Sequence, residues 1–510
     1  MVDDVLEISV DGRMVAVSDE AMTLLDVLRE ARATSVKDGC APQGQCGCCT
    51  VLVDGAPRVS CVTPVRRMRG RSITTVDGLD DGRAQAWAEA FCDTGGSQCG
   101  FCTPGIICRL EGLAIKGGDL ADEAQVGRAL QAHLCRCTGW STIREAAVAI
   151  ATGSTVEDRD LAAASQRASI EGGADQRVGP DIALGRGGFA ADIAPPDALV
   201  AVPAGDGWEV ADSVFEARIA AGKIQGRRTT LDPVPPIDLP EGDWVVTLQT
   251  GWVEPGYLEP DAVWCEPGGD PVGPLLNGGA FGAKTDSPLG AVARSLADRH
   301  GRTMRVVTDR EWVVRNGPKR PPLAIGLRDD GSGIVRVART TGVAELFRSV
   351  ADDVVVEEVE IEGPPTSLAV RGAGWAELEV ARAGLRGDVG QIESSAGGIA
   401  TAIIDGTTVR VTVDAGQVLD RVVLRSYAIG AAHMALGWIT SEAIAVDEHG
   451  EVHDLTIRSF GVLRAIDTPT IEVEIVESDR PPVNGSDAVF AAVAAAVWLD
   501  AGCPPVIPTR

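Results

Sequence analysis

The first part of the chain alternates between apolar and polar positions in a way that predicts two β-hairpins around one helix. Residues 5–17 alternate across an Asp-Gly turn, which is typical of a hairpin. Residues 23–32 place three leucines on one helical face, and residues 51–62 predict a second hairpin across another Asp-Gly turn. We therefore expect a small α+β domain over residues 1–78.

The apolar spacing changes after this domain from the period of a strand to that of a helix. Four runs are predicted to be helices, with glycine and proline between them. These runs cover residues 83–91, 105–115, 124–134 and 143–151. They predict an all-α domain of four helices over residues 79–152.

The rest of the chain divides into a polar stretch and a long region of mixed structure. Residues 153–180 are polar with little periodicity, which predicts a linker. The region beyond is rich in Gly, Pro and Val, with short alternating strands such as residues 408–414 and occasional helices. We divide it into residues 181–345 and 346–510. The whole sequence thus predicts a multidomain α+β protein.

Composition and charge argue against several classes of function. The 510 residues are 45% hydrophobic and carry a formal net charge of −27, so the surface should repel nucleic acid and anionic membranes. We find no apolar run of the roughly 18 residues that a membrane span needs. The first residues lack the basic and apolar regions of a signal peptide, so we expect a cytoplasmic protein.

The cysteines supply the candidate chemistry. Eleven of the 13 lie between residues 40 and 137, and such clustering in a reducing compartment indicates metal binding rather than disulfides. Three cysteines of the first set lie on one loop and the fourth on the second hairpin. This set is Cys40, Cys46, Cys49 and Cys61. Four thiolates suit a [2Fe–2S] cluster, and the spacing is similar to that of plant-type ferredoxins with one extra residue in the first gap.

The number of cysteines does not fix the ligands of this set, because Cys48 is a fifth candidate. Cys49 preserves a C-x2-C spacing after Cys46, so we predict that Cys49 is the ligand and Cys48 a bystander. The alternative is a zinc site, but zinc sites usually pair two C-x2-C knuckles at a longer separation. The spacing therefore favours an iron–sulfur cluster.

A second set of cysteines lies at the ends of helical runs. Cys99 and Cys102 form a C-x2-C pair, and Cys135 and Cys137 form a C-x-C pair. The helical hairpin between the pairs returns the chain to its start and can bring them to one point. Because a C-x-C pair strains a tetrahedral zinc site, this set also predicts an iron–sulfur cluster.

Two motifs at these cysteines carry a family resemblance. QCGFCTPG (98–105) and LCRCTGWSTI (134–143), placed after a ferredoxin-like loop, resemble the iron–sulfur part of the xanthine dehydrogenase/aldehyde oxidoreductase family, the molybdenum hydroxylases. The resemblance covers residues 1–150. It implies a β-grasp ferredoxin domain, a four-helix domain and two [2Fe–2S] clusters.

The resemblance also implies where the cofactors lie. The cluster of the second set would be nearer the molybdopterin, and that of the first set nearer the flavin. Gln98 and Cys137 would face the pterin of a partner chain.

The second half of the chain resembles the molybdopterin subunit of the same family. GYLEPDAVW (256–264) resembles its LEP segment, NGGAFGAK (277–284) its Gly-rich loop, and AVRGAGWAE (369–377) its active-site segment. Residues 413–455 resemble its C-terminal region, and the segments keep the family's order. The resemblance implies truncated, molybdopterin-subunit-like α+β domains over residues 181–510.

This region departs from the family at positions that would hold the cofactor. It is roughly half the family's length, and the segment with the Gly-Gln-Gly motif has no counterpart. Ala280 and Ala283 replace glycines of the Gly-rich loop, and a methyl group obstructs close approach of backbone to ligand. Only Asp487, one methylene shorter, matches the family's catalytic glutamate. We therefore expect a degenerate region that binds no molybdopterin.

These patterns predict an iron–sulfur electron-transfer subunit of a multi-subunit molybdenum hydroxylase. A large partner subunit would hold the molybdopterin and the catalytic centre, and a medium partner subunit would hold FAD. One alternative is a compact, self-contained molybdenum oxidoreductase with Asp487 as base and Arg371 and Glu259 near the substrate. Another is a redox-sensing or assembly protein that uses the clusters as a switch. Neither nucleic acid nor a membrane is expected as a partner.

Overall fold

The N-terminal domain is a five-stranded sheet with one helix and the first cysteine loop. The computed structural model of the chain describes residues 6–40, 42–154, 159–222, 229–273, 279–453 and 455–509. The elements of this domain are β1 (Glu7–Val10), β2 (Arg13–Ala16), α1 (Leu24–Glu30), β3 (Thr50–Val53), β4 (Ala56–Val59) and β5 (Ser72–Thr74). The strand order is β2-β1-β5-β3-β4, with β1 and β5 parallel. Both predicted hairpins and the predicted helix are present.

Helix α1 begins at a capping box that fixes the chain before the first cysteine loop. The Asp26 N–H donates to the Thr23 hydroxyl, and the Thr23 N–H donates to the Asp26 carboxylate. Leu24, Leu25 and Leu28 are buried against the sheet. The predicted leucine face is therefore the face that packs.

The next domain is all-α, as the apolar spacing predicts. Its elements are α2 (Asp81–Thr94), α3 (Thr103–Ile115), α4 (Glu123–Ala129) and α5 (Ser141–Thr152), with a 3-10 turn over Leu130–Ala132. The second pair of cysteines lies between this turn and α5, while the first pair lies just before α3. The helical hairpin of α3 and α4 therefore brings the second pair of cysteines back beside the first pair.

The segment predicted as a linker contains a buried helix, α6 (Leu161–Gly172). Arg167 on this helix is 0% exposed and donates hydrogen bonds to backbone carbonyls within residues 415–418. The prediction of an irregular linker over 153–180 is wrong for this helix, because its polar side chains bind carbonyl groups of the C-terminal region rather than water.

Three further sheets and their helices make up the described part of the second half. The helices are α7 (Pro180–Ala183), α8 (Ala190–Ile193), α9 (Val214–Ala220), α10 (Leu289–His300), α11 (Arg310–Asn316), α12 (Val343–Val350), α13 (Trp375–Arg386), α14 (Arg421–Thr440), α15 (Ile457–Phe460) and α16 (Ser486–Asp500). The strands are β6 (Leu199–Ala204), β7 (Gly207–Ala211), β8 (Val246–Thr250), β9 (Ala262–Cys265), β10 (Met304–Val307), β11 (Leu323–Leu327), β12 (Gly333–Ala338), β13 (Val354–Val359), β14 (Ile392–Glu393), β15 (Ile399–Asp405), β16 (Thr408–Asp414), β17 (Thr470–Ile475) and β18 (Val506–Ile507). The sheet orders are β7-β6-β10-β9, β13-β12-β11-β8-β18 and β14-β15-β16-β17. The multidomain α+β class is thus confirmed.

The division predicted near residue 345 differs from the observed sheets. Helix α12 spans this residue, and β12 pairs in parallel with β13 across it. Strand β18, near the end of the chain, pairs with β8. The middle sheet therefore draws strands from both predicted parts, because strand pairing across such distances leaves no local signal in the sequence.

Helices α14 and α16 form the centre of the second half. Both bury most of their side chains, which matches their apolar composition on all faces. Helix α14 has the length and apolar composition of a membrane span, and 89% of its most apolar stretch is buried inside the protein. It therefore serves as a core helix, and one of its faces meets the second set of cysteines.

Candidate iron–sulfur sites

The structure brings the four cysteines of the first set together. The thiols of Cys46 and Cys61 lie close enough to the Cys40 thiol to shift its pKa, and the Cys61 backbone N–H donates to the Cys49 Sγ at 3.5 Å. The backbone N–H of Gln45 points at the Cys40 Sγ at 3.4 Å. The loop and the second hairpin therefore place four thiols and one backbone N–H donor around one point.

Cys48 lies beside this set. Its thiol points at the Cys46 carbonyl, 4.0 Å away, and lies near Cys102 and Cys135 of the second set. Its 1% exposure makes it a buried thiol between the two sets. Its role as a bystander stays a prediction.

The structure also brings the second set together, as two pairs. The Sγ atoms of Cys99 and Cys137 are 3.6 Å apart, and the thiols of Cys102 and Cys135 hydrogen-bond. The Thr138 hydroxyl lies 3.1 Å from the Cys135 Sγ. The C-x2-C and C-x-C pairs thus meet across the helical hairpin.

The chemistry of both donor sets suits [2Fe–2S] clusters. Hydrogen bonds from Cys46 and Cys61 lower the pKa of Cys40 well below its ordinary value, and a hydrogen bond from Cys102 lowers the pKa of Cys135 to about 6. The same contacts raise the pKa of Cys46 and Cys102, so the shifts show how close the thiols lie. Four such thiols in each set are the soft donors that [2Fe–2S] clusters need. All the cysteines of the chain are free thiols.

The two sets are held against each other by backbone contacts. The Leu134 N–H donates to the Cys46 carbonyl at 2.9 Å. Because Leu134 directly precedes Cys135, this hydrogen bond joins the two sets of cysteines. A Cβ at Gly105 would lie 2.4 Å from the Gly47 carbonyl oxygen, so only glycine allows this contact. His133 fills the same interface, and burial lowers its pKa to about 3.

Gln98 and Cys137 face the chain's own second half. Gln98 donates to the Cys137 carbonyl at 2.9 Å and to the Ser426 hydroxyl of α14 at 3.0 Å. A Cβ at Gly430 would lie 1.7 Å from the Cys137 oxygen. Helix α14 therefore holds Gln98 and the Cys137 carbonyl, while Cys137 also lines a small cavity on the side of Gly279. The expectation that these two residues face a partner's pterin stays a prediction.

Arg136, between the two cysteines of the C-x-C pair, anchors the second set to the end of α14. Its guanidinium makes two hydrogen bonds to the Glu442 carboxylate, one of 2.7 Å, and its Nε donates to the Pro255 carbonyl at 2.6 Å. The side chains of Arg136 and Glu442 are 2% and 0% exposed. A charge pair buried to this degree is costly to break, so it fixes the loop.

The predicted Gly-rich segment 277–284 is described from residue 279 onward. A Cβ at Gly279 would lie 2.9 Å from the Cys99 Cβ, so the segment runs directly over the second set. Ala280 and Ala283 pack with Tyr257 in one apolar cluster. The two methyl groups therefore occupy space that glycines would leave open.

A buried ion cluster closes the same face. The Lys284 Nζ lies 3.0 Å from Glu259 and 3.6 Å from Asp261, and Tyr257 donates to Asp261 at 2.8 Å. Burial alone would lower the pKa of Lys284, but the two carboxylates raise it, so the ammonium stays charged. The cavity between this cluster and the second set holds about 20 Å³, which is room for about one water.

Asp487 and Arg371 pair with each other. The Arg371 Nε donates to the Asp487 carboxylate at 2.9 Å, and its guanidinium stacks over Phe281. The neighbouring cavity, lined by Arg371 and Phe281, holds about 10 Å³. The structure thus brings both predicted remnant residues together but leaves no space between them for a substrate.

A larger cavity of about 400 Å³ lies between the N-terminal domain and the second half. Phe101, between Cys99 and Cys102, lines this cavity together with Glu259, and both residues also line the small cavity at the second set. A single layer of side chains therefore separates the larger cavity from the second set of cysteines.

Sequence reasoning missed the residues that dock the second set, namely Arg136, Glu442, Ser426 and Gly430. A partial signal was present: Ser426 and Gly430 are small residues four positions apart, on one face of an apolar helix. Arg136 and Glu442 are 306 positions apart in the sequence, so no local pattern predicts that they pair.

Comparisons with known proteins agree with the two cysteine sets. Residues 7–68 match the family model described as 2Fe-2S iron-sulfur cluster binding domain, and residues 75–148 match the [2Fe-2S] binding domain model. The chain is 41% identical over 143 residues to the nicotine 6-hydroxylase small subunit of Paenarthrobacter nicotinovorans, covering 28% of this chain and 86% of that protein. It is 39% identical over 132 residues to the nicotinate dehydrogenase small FeS subunit of Eubacterium barkeri, covering 26% and 83%.

Solved structures of aldehyde oxidoreductases match over nearly the whole chain. The aldehyde oxidoreductase from Desulfovibrio gigas is similar with a TM-score of 0.69 and 15% identity, covering 98% of this chain and 97% of that one. At this identity the likeness concerns the fold, which therefore extends beyond the cysteine domains into the second half.

Proposed function

Because the chain belongs to the xanthine dehydrogenase/aldehyde oxidoreductase family of molybdenum hydroxylases, we propose that it is an iron–sulfur electron-transfer component whose hydroxylating centre lies on a partner chain. It is an oxidoreductase of this type with two [2Fe–2S] domains. The proposal concerns its place in the complex: a large partner would hold molybdopterin, and a medium partner or another acceptor would hold FAD.

The eight cysteines are proposed to hold the clusters in two groups of four. The first group is Cys40, Cys46, Cys49 and Cys61, and the second is Cys99, Cys102, Cys135 and Cys137. Each cluster, when bound, accepts and releases one electron at a time. The contact of 2.9 Å between the Leu134 N–H and the Cys46 carbonyl joins the two groups and supports a relay through both.

The observation that carries the proposal is the closed face beside the second set. Lys284 with Glu259, and Arg371 with Asp487, fill the places where the family resemblance expects pterin and substrate, and the cavities there have room for about one water each. A molybdopterin on this chain would have to displace these pairs and leave the Lys284 ammonium, which is 2% exposed, buried without a partner, which is costly.

Electrons are proposed to reach the second set through the larger cavity. Phe101 and Glu259 line both this cavity and the small cavity at the thiols, which supports a route between them. Gln98 and Cys137 remain the residues that the family resemblance expects on the pterin side. We also propose a cytoplasmic location, since all the cysteines are free thiols, as expected in a reducing compartment.

A self-contained molybdenum oxidoreductase is the second candidate, and the whole-chain likeness to an aldehyde oxidoreductase favours it. On that account Asp487 would act as base and would have to leave Arg371. The two candidates differ in where molybdenum is found, on this chain or on a partner.

Purification of the tagged chain from its own cells tests the proposal. We expect a larger molybdenum-containing chain to accompany it, and substrate addition (nicotine, nicotinate or xanthine as probes) to bleach the cluster absorbance. A Cys135→Ser variant should keep the partner and lose the bleaching of the second cluster. Substrate oxidation by the isolated chain would instead support the second candidate.

A further inference from the structure

The surface around Cys61 carries a charge opposite to that of the whole protein. Residues 56–72 contain five arginines and no carboxylate, in a chain whose formal net charge is −27. We call these arginines the arginine patch. Its members are Arg58, Arg66, Arg67, Arg69 and Arg71. All five are exposed.

The patch includes, between Arg58 and Arg66 in the sequence, an exposed apolar residue next to a cysteine of the first set. Val62, next to Cys61, is 51% exposed. A Cβ at Gly44 would lie 3.0 Å from Val62, so this valine rests on the loop between Cys40 and Cys46. The exposed apolar side chain and the cysteine loop therefore share one surface.

The charges of the patch are largely available. Arg69 and Arg71 have exposed partners, Glu20 at 3.4 Å and Asp54 at 2.8 Å, and such pairs are weak in water. Arg58, Arg66 and Arg67 form no ion pair with any residue that the structure describes. Arginine is enriched at protein–protein contacts, so exposed arginines close in the chain to an exposed apolar residue suit such a contact.

A further cation reaches the same loop from the second half of the chain. Arg458 is exposed, its Nε donates to the Gln45 carbonyl at 3.1 Å, and its backbone N–H donates to the Gln45 side chain. Gln45 directly precedes Cys46. Cations from two distant parts of the sequence thus flank one cysteine loop.

We propose that the arginine patch, with Val62 at its centre and Arg458 at its edge, is the docking surface for an acidic one-electron carrier protein. The proposal rests on the proposed relay function and names the partner at its outer end. The patch is positively charged, whereas the protein as a whole is strongly negative. An acidic partner is therefore attracted to the patch and repelled by the remaining surface.

Docking at this surface gives a simple transfer. At each encounter one electron leaves the reduced first site and one arrives at the partner's oxidised centre, and no proton or atom moves. Electrostatic steering of this kind raises association rates by about 10- to 1,000-fold at low salt. Because the Debye length is about 10 Å at 0.1 M salt, the gain should fall as salt is added.

Stopped-flow oxidation of the reduced full-length chain tests the surface, with an oxidised acidic plant-type ferredoxin as the probe. We expect the second-order rate constant to fall at least about tenfold between about 20 mM and about 300 mM NaCl. Arg66→Glu with Arg67→Glu should lower the low-salt rate by about tenfold. The matched control is Arg299→Glu with Arg315→Glu, which makes the same charge change at exposed arginines of α10 and α11 and should stay within about twofold of wild type.

A binding measurement separates docking from electron transfer. Calorimetry with both proteins oxidised should show binding that Arg66→Glu/Arg67→Glu weakens by about tenfold and the control pair leaves unchanged. Normal cluster absorbance with equal rates and affinities in the two double variants would overturn the docking surface. Absence of cluster absorbance in the wild-type chain would instead count against the proposed function.

Discussion

At the residue scale, the cysteines were predictable because their chemistry depends on local spacing. Three ligands of the first set fall within ten residues, and the C-x2-C and C-x-C pairs of the second set are short motifs. The family resemblance picked out Glu259, Arg371 and Asp487, which lie at the neighbouring face, but not their ion pairs. Lys284 meets Glu259, and Arg371 meets Asp487, across separations along the chain that leave no local signal.

The choice between Cys48 and Cys49 is a prediction at this scale. The Cys49 Sγ accepts a hydrogen bond from the Cys61 backbone N–H at 3.5 Å, whereas the Cys48 thiol points at the Cys46 carbonyl. We expect Cys48→Ala to leave the EPR spectrum of the first cluster unchanged and Cys49→Ala to abolish it. The reverse pattern would exchange their roles.

Asp487 is predicted to be structural. Asp487→Asn removes the partner of Arg371, and since the carboxylate is about one-third exposed we expect a loss of only about 1 kcal/mol in the free energy of unfolding. Cluster reduction should be unaffected. Asp479→Asn, at an exposed aspartate, is the control in urea titrations; loss of substrate oxidation in Asp487→Asn alone would show that Asp487 is catalytic.

At the scale of elements, helices and hairpins followed the hydrophobic pattern, but their docking did not. The linker prediction missed α6 because Arg167 and its neighbours are polar, and only the tertiary structure shows that they are buried. The small residues of α14 likewise look like ordinary helix positions. Their close approach to the second set is a property of packing.

Helix α14 should be sensitive to a single methyl group. Gly430→Ala places a Cβ against the Cys137 oxygen, so the helix and the cysteine loop must separate. We expect the EPR signal of the second cluster to be lost or broadened while that of the first is retained. Gly290→Ala in α10, where the nearest atom is 3.5 Å away, should change neither signal. Equal spectra for both variants would contradict the docking of α14.

His433 of α14 should make the protein sensitive to acid. Burial lowers its pKa to about 3, below the ordinary value of 6.5, so between these values the unfolded chain binds one more proton than the folded chain. Stability is therefore lost as pH falls through this window. Between pH 6.5 and pH 5 the wild type should lose about 2 kcal/mol more than His433→Gln in urea titrations. Parallel pH profiles would refute the assignment.

At the scale of the whole molecule, the N-terminal 152 residues could be derived from sequence and the remainder only in part. The family segments gave the order of the second half, but not the middle sheet, in which β18 pairs with β8 from far earlier in the chain. In the second half, ion pairs fill the face beside the second set of cysteines.

Metal content of the purified full-length chain tests this account most directly. Cells that supply molybdenum cofactor should yield a chain with about four iron atoms, two per cluster, and molybdenum below about a tenth of an atom per chain. A chain that carries one molybdenum atom beside its four iron atoms would contradict the account, because the face closed by Lys284, Glu259, Arg371 and Asp487 would then have to open.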